Sequence, residues 1–303
     1  MSAAGGALGS ASRLGGGAWR RSADAVERWP VSVRVAAGVL ALVVVLALLA
    51  NVIAPLDDTA VDLDHVLEGP SWAHLMGTDE VGRDLLARVL HGVRISLAIA
   101  VLASLAAVAV GTLVGLLAGT MGGRVDAFVM RVTDVFASQN HLLSGILLLV
   151  LFRPVLGGPG AIMLAVGFTH WPSLARIVRG ELLSLRERPF VSAAIGGGAG
   201  RWRLARRHYV PHLMPAVGLA FVLTVPHAIF HESAYSFLGL GLEAHRASLG
   251  NILADGRGSL LAGGWWVALF PGLAILVAAM AIGTLAEYWR EHLHPRWRSE
   301  LEL

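Results

Sequence analysis

Six apolar runs, each near the length needed to cross a bilayer, constrain this chain more than any other feature. About 30 Å of hydrocarbon takes roughly 20 helical residues at 1.5 Å each. The runs at 35–54, 95–119 and 265–286 are nearly free of charge, whereas those at 136–151, 161–177 and 213–230 are shorter or carry polar residues. None alternates strictly between polar and apolar, so helices that satisfy their own backbone groups are expected rather than a closed barrel. The first run ends in Asn51-Val-Ile-Ala-Pro55, with no small-residue cleavage site, and reads as a retained helix. A chain of 303 residues that is 55% hydrophobic and 15% charged, with a mean hydropathy of +0.66, is not composed like a compact soluble enzyme.

Composition removes further chemistry. There is no cysteine, which excludes disulfides, thiolate metal sites and cysteine nucleophiles. All 24 basic residues are arginine, so Schiff-base chemistry and Walker-type phosphate binding have no lysine to use, and the chain does not hydrolyse ATP by itself.

Arginine also sets the expected orientation, because loops rich in it stay in the cytoplasm. With six spans both ends share a side. That side holds Arg13, Arg20, Arg21, Arg28 and Arg34, then Arg124 and Arg131, eight arginines from Arg176 to Arg207, and Arg290, Arg296 and Arg298. The first loop on the other side is acidic, with Asp57, Asp58, Asp62, Asp64, Glu68, Asp79, Glu80 and Asp84. The expected organisation is a disordered cytoplasmic arm at 1–30 and a first transmembrane helix at 31–54, then an external loop at 55–90. A five-helix core at 91–290 follows, with a cytoplasmic loop at 180–212, and a cytoplasmic tail at 291–303 ends the chain.

Three blocks carry a family likeness. His74-Leu-Met-Gly-Thr-Asp-Glu-Val-Gly-Arg-Asp-Leu-Leu-Ala-Arg88 precedes Gly92-Val-Arg-Ile-Ser-Leu97. Phe190-Val-Ser-Ala-Ala-Ile-Gly-Gly-Gly198 precedes Arg206-Arg-His-Tyr-Val-Pro211. Glu232-Ser-Ala-Tyr-Ser-Phe-Leu-Gly-Leu-Gly241 precedes Pro271-Gly-Leu273 and His294-Pro-Arg296. From about Val31 to Arg296 the chain resembles permeases of the peptide/nickel group of binding-protein-dependent ABC importers. The resemblance implies an all-α membrane protein of six transmembrane helices with the type I ABC importer permease fold. It also implies a second homologous permease subunit, two cytoplasmic ATPase subunits and an extracytoplasmic substrate-binding protein as partners. The chain itself would bind no cofactor, ATP and magnesium being held by the ATPases, and no nucleic acid.

In such permeases the second block docks on the ATPase. Small residues let a short helix approach another surface closely, and the resemblance assigns that coupling role to Ser192, Ala193, Ala194, Gly198, His208 and Pro211. Ser192 stands where the family usually has an acidic residue, and Val210 and His212 replace the usual Leu and Asn around the proline.

Titratable groups within spans mark a pathway or a packed partner, which singles out His141, His170, His227, His231 and Glu232. His227 and His231 lie four apart, on one helix face, close enough for both imidazoles to approach one divalent ion. Pro226 beside them cannot donate to the Val222 carbonyl. The bland alternative is that these imidazoles bond carbonyls or waters between helices. The nickel-specific relatives resemble this chain at His227-x-x-x-His231 and at Thr169-His-Trp171, which implies His170, His227, His231 and Glu232 along the path, with His227 and His231 as metal ligands. An oligopeptide cargo remains the alternative. His141 has less support, since Ser138-Gln-Asn140 departs from the family pattern. An intramembrane metalloprotease needs His-Glu-x-x-His, and here Glu232 falls outside the pair. A non-transporting scaffold would not need the docking block.

Overall fold

The computed structural model describes residues 29–55, 61–243 and 246–293. Arg13, Arg20, Arg21 and Arg28 of the expected arm, Asp57 and Asp58 of the first loop, and the tail with His294, Arg296 and Arg298 lie outside the described residues. Those described are almost entirely helical: α1 Val31–Leu48, α2 Ala50–Ile53, α3 Leu85–Met121, α4 Gly123–Ala137 and α5 His141–Arg186 come first. They are followed by α6 Pro189–Gly196, α7 Arg201–Leu204, α8 Val210–Phe237, α9 Leu249–Leu261 and α10 Trp266–Leu293.

Five of these segments are long and apolar enough to cross a membrane. One of them, α5, contains two passes. Gly157 takes φ 69° and ψ 174°, and the chain turns back there. On a straight helix His141 and His170 would be roughly 43 Å apart at 1.5 Å per residue; their ring centroids are instead 5.5 Å apart. Pro159 sits just inside the second arm, where its missing N–H costs nothing. Counted with the two arms of α5 apart, the described residues hold six long apolar helical arms, the number of runs in the hydropathy pattern.

The expected spans and the observed helices differ at their ends for local reasons. Asp84 accepts from Ala87 N at 2.9 Å and starts α3 at Leu85, ahead of the apolar run that begins at 95. Asn140 accepts from Leu142 N and Leu143 N and starts α5, which gives the departure at Ser138-Gln-Asn140 a capping role.

The tightest packing joins α3 to the second arm of α5. Gly111, Gly115 and Gly119 recur every four residues on one face of α3. A Cβ there would lie 2.5 Å from Leu174 Cβ, 2.5 Å from the Ala175 carbonyl oxygen and 2.8 Å from Leu182 Cδ2. Small residues at this spacing let two backbones meet, which is how helices associate where lipid removes the hydrophobic drive. Around this contact the main core gathers Ala100, Ala103, Ile162, Ala165, Val166, Ala228 and Ile229.

Amphipathic α4 is held to the same arm of α5 by ion pairs. Arg179 grips Asp126 bidentately at 2.5 and 2.6 Å, and Arg176 reaches Asp134 at 2.8 Å. At the acidic end, residues 61–84 fold over the helix ends. Arg88, 1% exposed, donates to Asp79 at 2.7 Å and to Asp255 of α9 at 2.9 Å. Trp266 Nε1 donates to the Thr78 carbonyl at 3.0 Å.

Candidate functional site

Two sites emerge, one at each functional level expected of such a chain: a histidine-lined cleft among the spans, and an exposed short helix at the arginine-rich end.

The cleft lies between α5 and α8, encloses about 380 Å³ and is lined by His141, His170, His227 and His231 with Ser173, Ile177, Leu223 and Thr224. The hairpin in α5 brings His141 and His170 together from its two arms; α8 supplies the other pair. His170 is the hub, with ring centroids 5.0 Å from His231, 5.5 Å from His141 and 6.2 Å from His227. Two imidazoles sharing an ion through ring nitrogens at about 2.0–2.1 Å hold their centroids about 5–6 Å apart, so these spacings suit successive contacts with one ion. As placed, no three His, Asp or Glu side chains among the described residues form a closed metal cage.

The rings are oriented by backbone. Nδ1 of His170 donates to the Val166 carbonyl at 3.1 Å, and Nδ1 of His227 donates to the Leu223 carbonyl at 3.0 Å. Each bond fixes the tautomer and leaves Nε2 with its lone pair. Pro226 thus frees the Val222 carbonyl, but the imidazole beside it uses Leu223.

Glu232 does not line the cleft. It follows His231 by one residue, so it projects to another side of α8, is fully buried, and accepts from Ser236 Oγ at 3.0 Å and Ser233 Oγ at 3.4 Å. Tyr235, which sequence reasoning passed over, continues the four-residue stripe of His227 and His231; its ring centroid is 5.7 Å from that of His231. Its hydroxyl is buried without a hydrogen-bond partner and abuts Gly145, where any Cβ would clash with it. The signal for Tyr235 was the i, i+4, i+8 spacing itself.

At the other end, α6 begins with Pro189 at its first turn and is anchored by Val191, which is buried with Val178, Leu182, Leu204 and Tyr209. Ser192, Ala193 and Gly198 are exposed and Ala194 is half-buried. Gly198 takes φ 81°, and Ala199 N donates to the Ala194 carbonyl at 3.0 Å, closing the helix end. His208 and His212 flank Phe190, with ring centroids 6.1 and 5.1 Å away, and His212 stacks on it. The unusual His212 therefore supports α6 from behind. Ala205–Tyr209 widens into a π turn just ahead of Pro211, whose missing N–H breaks the regular bond to Arg207.

Comparison with known proteins adds identity to this geometry. The family model described as "Binding-protein-dependent transport system inner membrane component" matches residues 111–299. The chain is 39% identical to the dipeptide transport system permease protein DppC of Bacillus subtilis, over 76% of this chain and 71% of that one. It is 34% identical to the nickel transport system permease protein NikC of Escherichia coli, over 90% and 97% of the two chains. Identity to the oligopeptide transport system permease protein OppC of Bacillus subtilis is 34%, over 86% and 84%. Among solved structures, the inward-facing MetNI methionine ABC transporter superposes with a TM-score of 0.55 at 17% identity, over 66% of this chain and 94% of that chain, a likeness of fold.

Proposed function

The chain belongs to the binding-protein-dependent transport system inner membrane components, and from that premise we propose that it forms the translocation path for nickel, a related divalent metal or a metal chelate. It is a transport component and not an enzyme. In this reading it pairs with a second, related permease. Two ATPases bind at the arginine-rich end, which faces the cytoplasm together with both termini, and a binding protein delivers cargo at the opposite end, near 57–88 and 232–264.

The observation that carries the metal reading is the convergence of four imidazoles on one cleft. Neutral imidazole is a good ligand for nickel and its neighbours. A cargo ion must be held well enough to enter and weakly enough to leave, and imidazoles spread around a hub without a closed cage suit that demand. His227 and His231 take the ion from His170, or pass it there.

Coupling runs through α6. Ser192, Ala193, Ala194 and Gly198 present a small-residue surface to the ATPase; His208 and Pro211 brace it from behind. Closure of the nucleotide-bound ATPase pair moves α6, and with it the second arm of α5 and α8, as a rigid body.

A dipeptide or oligopeptide cargo is the second reading, favoured by the 39% identity to a dipeptide permease. The test is uptake of labelled nickel and of labelled dipeptide by the complete transporter, with a His227→Ala/His231→Ala variant beside the parent. Nickel uptake that depends on the histidines supports the metal reading. Dipeptide uptake indifferent to them replaces it with the second.

A further inference from the structure

Glu232 is a fully buried carboxylate among hydroxyls. Besides Ser233 and Ser236, which donate to it from its own helix, the hydroxyls of Ser96 of α3 and of Ser248, just ahead of α9, stand beside it. Both of these serines already use an acceptor site. Ser96 Oγ accepts from Leu249 N at 3.3 Å, and Ser248 Oγ caps α9 by accepting from Asn251 N at 3.1 Å. Their protons are left for Glu232, and a carboxylate is the side chain that can accept several donors while offering none. Three segments of the chain are drawn to one group.

The same face of α3 carries a second attachment. Arg88, Gly92 and Ser96 recur at four-residue intervals, and opposite them in reverse order stand Asp255, Ile252 with Leu249, and Ser248. Arg88 donates to Asp255 at 2.9 Å. A Cβ on Gly92 would lie 3.1 Å from Ile252 Cδ1 and 3.2 Å from Leu249 N. Helix α9 is therefore fastened to α3 at two points, by an ion pair at its middle and by the Glu232 cluster at its N-terminal end.

We propose that Glu232 is a positioning residue that binds α9, α3 and α8 into one rigid outer block, so that α9 does not lift from α3 during the transport cycle. It acts through the serines and does not touch the cargo. The inference rests on the importer reading but not on the identity of the cargo.

The chain has no cysteine, so Gly92→Cys with Ile252→Cys places a single thiol pair across the α3–α9 contact. In the complete transporter in proteoliposomes, oxidising that pair is expected to leave uptake per ATP within about twofold of the reduced state, less than the loss of one hydrogen bond to a charged group. Uptake abolished by oxidation and restored by reductant would overturn the proposal. Glu232→Gln keeps the shape but sets an amide donor among hydroxyl donors. It is expected to slow formation of the 92–252 disulfide and to lower uptake per ATP at least about tenfold, while nucleotide hydrolysis continues. Parental coupling and parental cross-linking in that variant would also overturn it. A parent that carries neither nickel nor dipeptide defeats the importer reading instead, and the cross-linking rates still decide the role of Glu232.

Discussion

His170 meets His231 edge-on, with ring centroids 5.0 Å apart at 81°. The two residues come from different helices, the second arm of α5 and α8, and the fold-back at Gly157 adds His141 from the first arm beside them. It makes His170, rather than either member of the i, i+4 pair, the imidazole nearest to all the others.

His170→Ala is accordingly expected to weaken nickel uptake more than His227→Ala does. Loss of a supporting group alone costs metal affinity about tenfold or more, so the half-saturating nickel concentration should rise by at least that factor. Equal, small effects of the two variants in labelled-nickel uptake would remove the hub from the pathway.

Gly198→Glu should abolish ATP-driven uptake while leaving membrane insertion intact. No atom stands within 4 Å of a Cβ at this position, so the cost is not steric crowding. It comes from φ 81°, which disfavours any L side chain by about 1–2 kcal/mol, and from a charge placed on the proposed docking surface. Normal nucleotide-driven uptake in this variant would refute the coupling role of α6.

Asp79 is 1% exposed and takes charge-assisted bonds from both Arg83 and Arg88 at 2.7 Å. Removing one member of a buried ion network leaves the other charge stranded, at a cost of about 3–5 kcal/mol. Asp79→Ala should therefore unfold at a lower temperature in detergent than the parent. An unchanged melting temperature would mean that Asp255 compensates fully.

The loop pair His65 and Asp62, in contact at 2.8 Å, predicts a pH window for the first loop. The bond to Asp62 raises His65 above its ordinary 6.5, and the bond to His65 holds Asp62 below its ordinary 3.8. Stabilisation from His65 is complete below pH 6.5 and is lost as pH rises through its raised value. Stabilisation from Asp62 is complete above pH 3.8 and is lost as pH falls through its lowered value. Protease cleavage within 61–84, normalised to an unstructured peptide, should accelerate on the alkaline side of this window, and His65→Ala should flatten the response. A variant with the parental profile would assign the pH dependence elsewhere.

Much of the architecture was legible from hydropathy, because a bilayer demands about 20 apolar residues per pass whatever they contact. The runs at 136–151 and 161–177 even anticipated the two arms of α5. Their meeting point was not legible, since one positive φ at Gly157 decides it. The pair His227 and His231 could be placed on one face from spacing alone. His170 joined them through the family resemblance, and only the hairpin brings His141 beside it. Glu232 was expected beside the histidines on the path, and the helical rotation of one residue puts it among Ser96, Ser236 and Ser248 instead. The acidic loop at 55–90 was read as a charge balance; that Asp79 is a buried partner of Arg88 depended on a contact with α9, which no local pattern announces.

Gly157 also bears on how the chain reaches its membrane. A helical pass followed at once by a second, with a single left-handed residue between them, leaves no loop on which synthesis and insertion can pause. The two arms of α5 lie against each other from the bend onward, and Arg153 near the bend reaches the Gly239 carbonyl, just beyond α8, at 3.2 Å. A bulky residue in place of Gly157 would thus be felt first as a defect of biogenesis, in the amount of protein inserted, before any defect in transport.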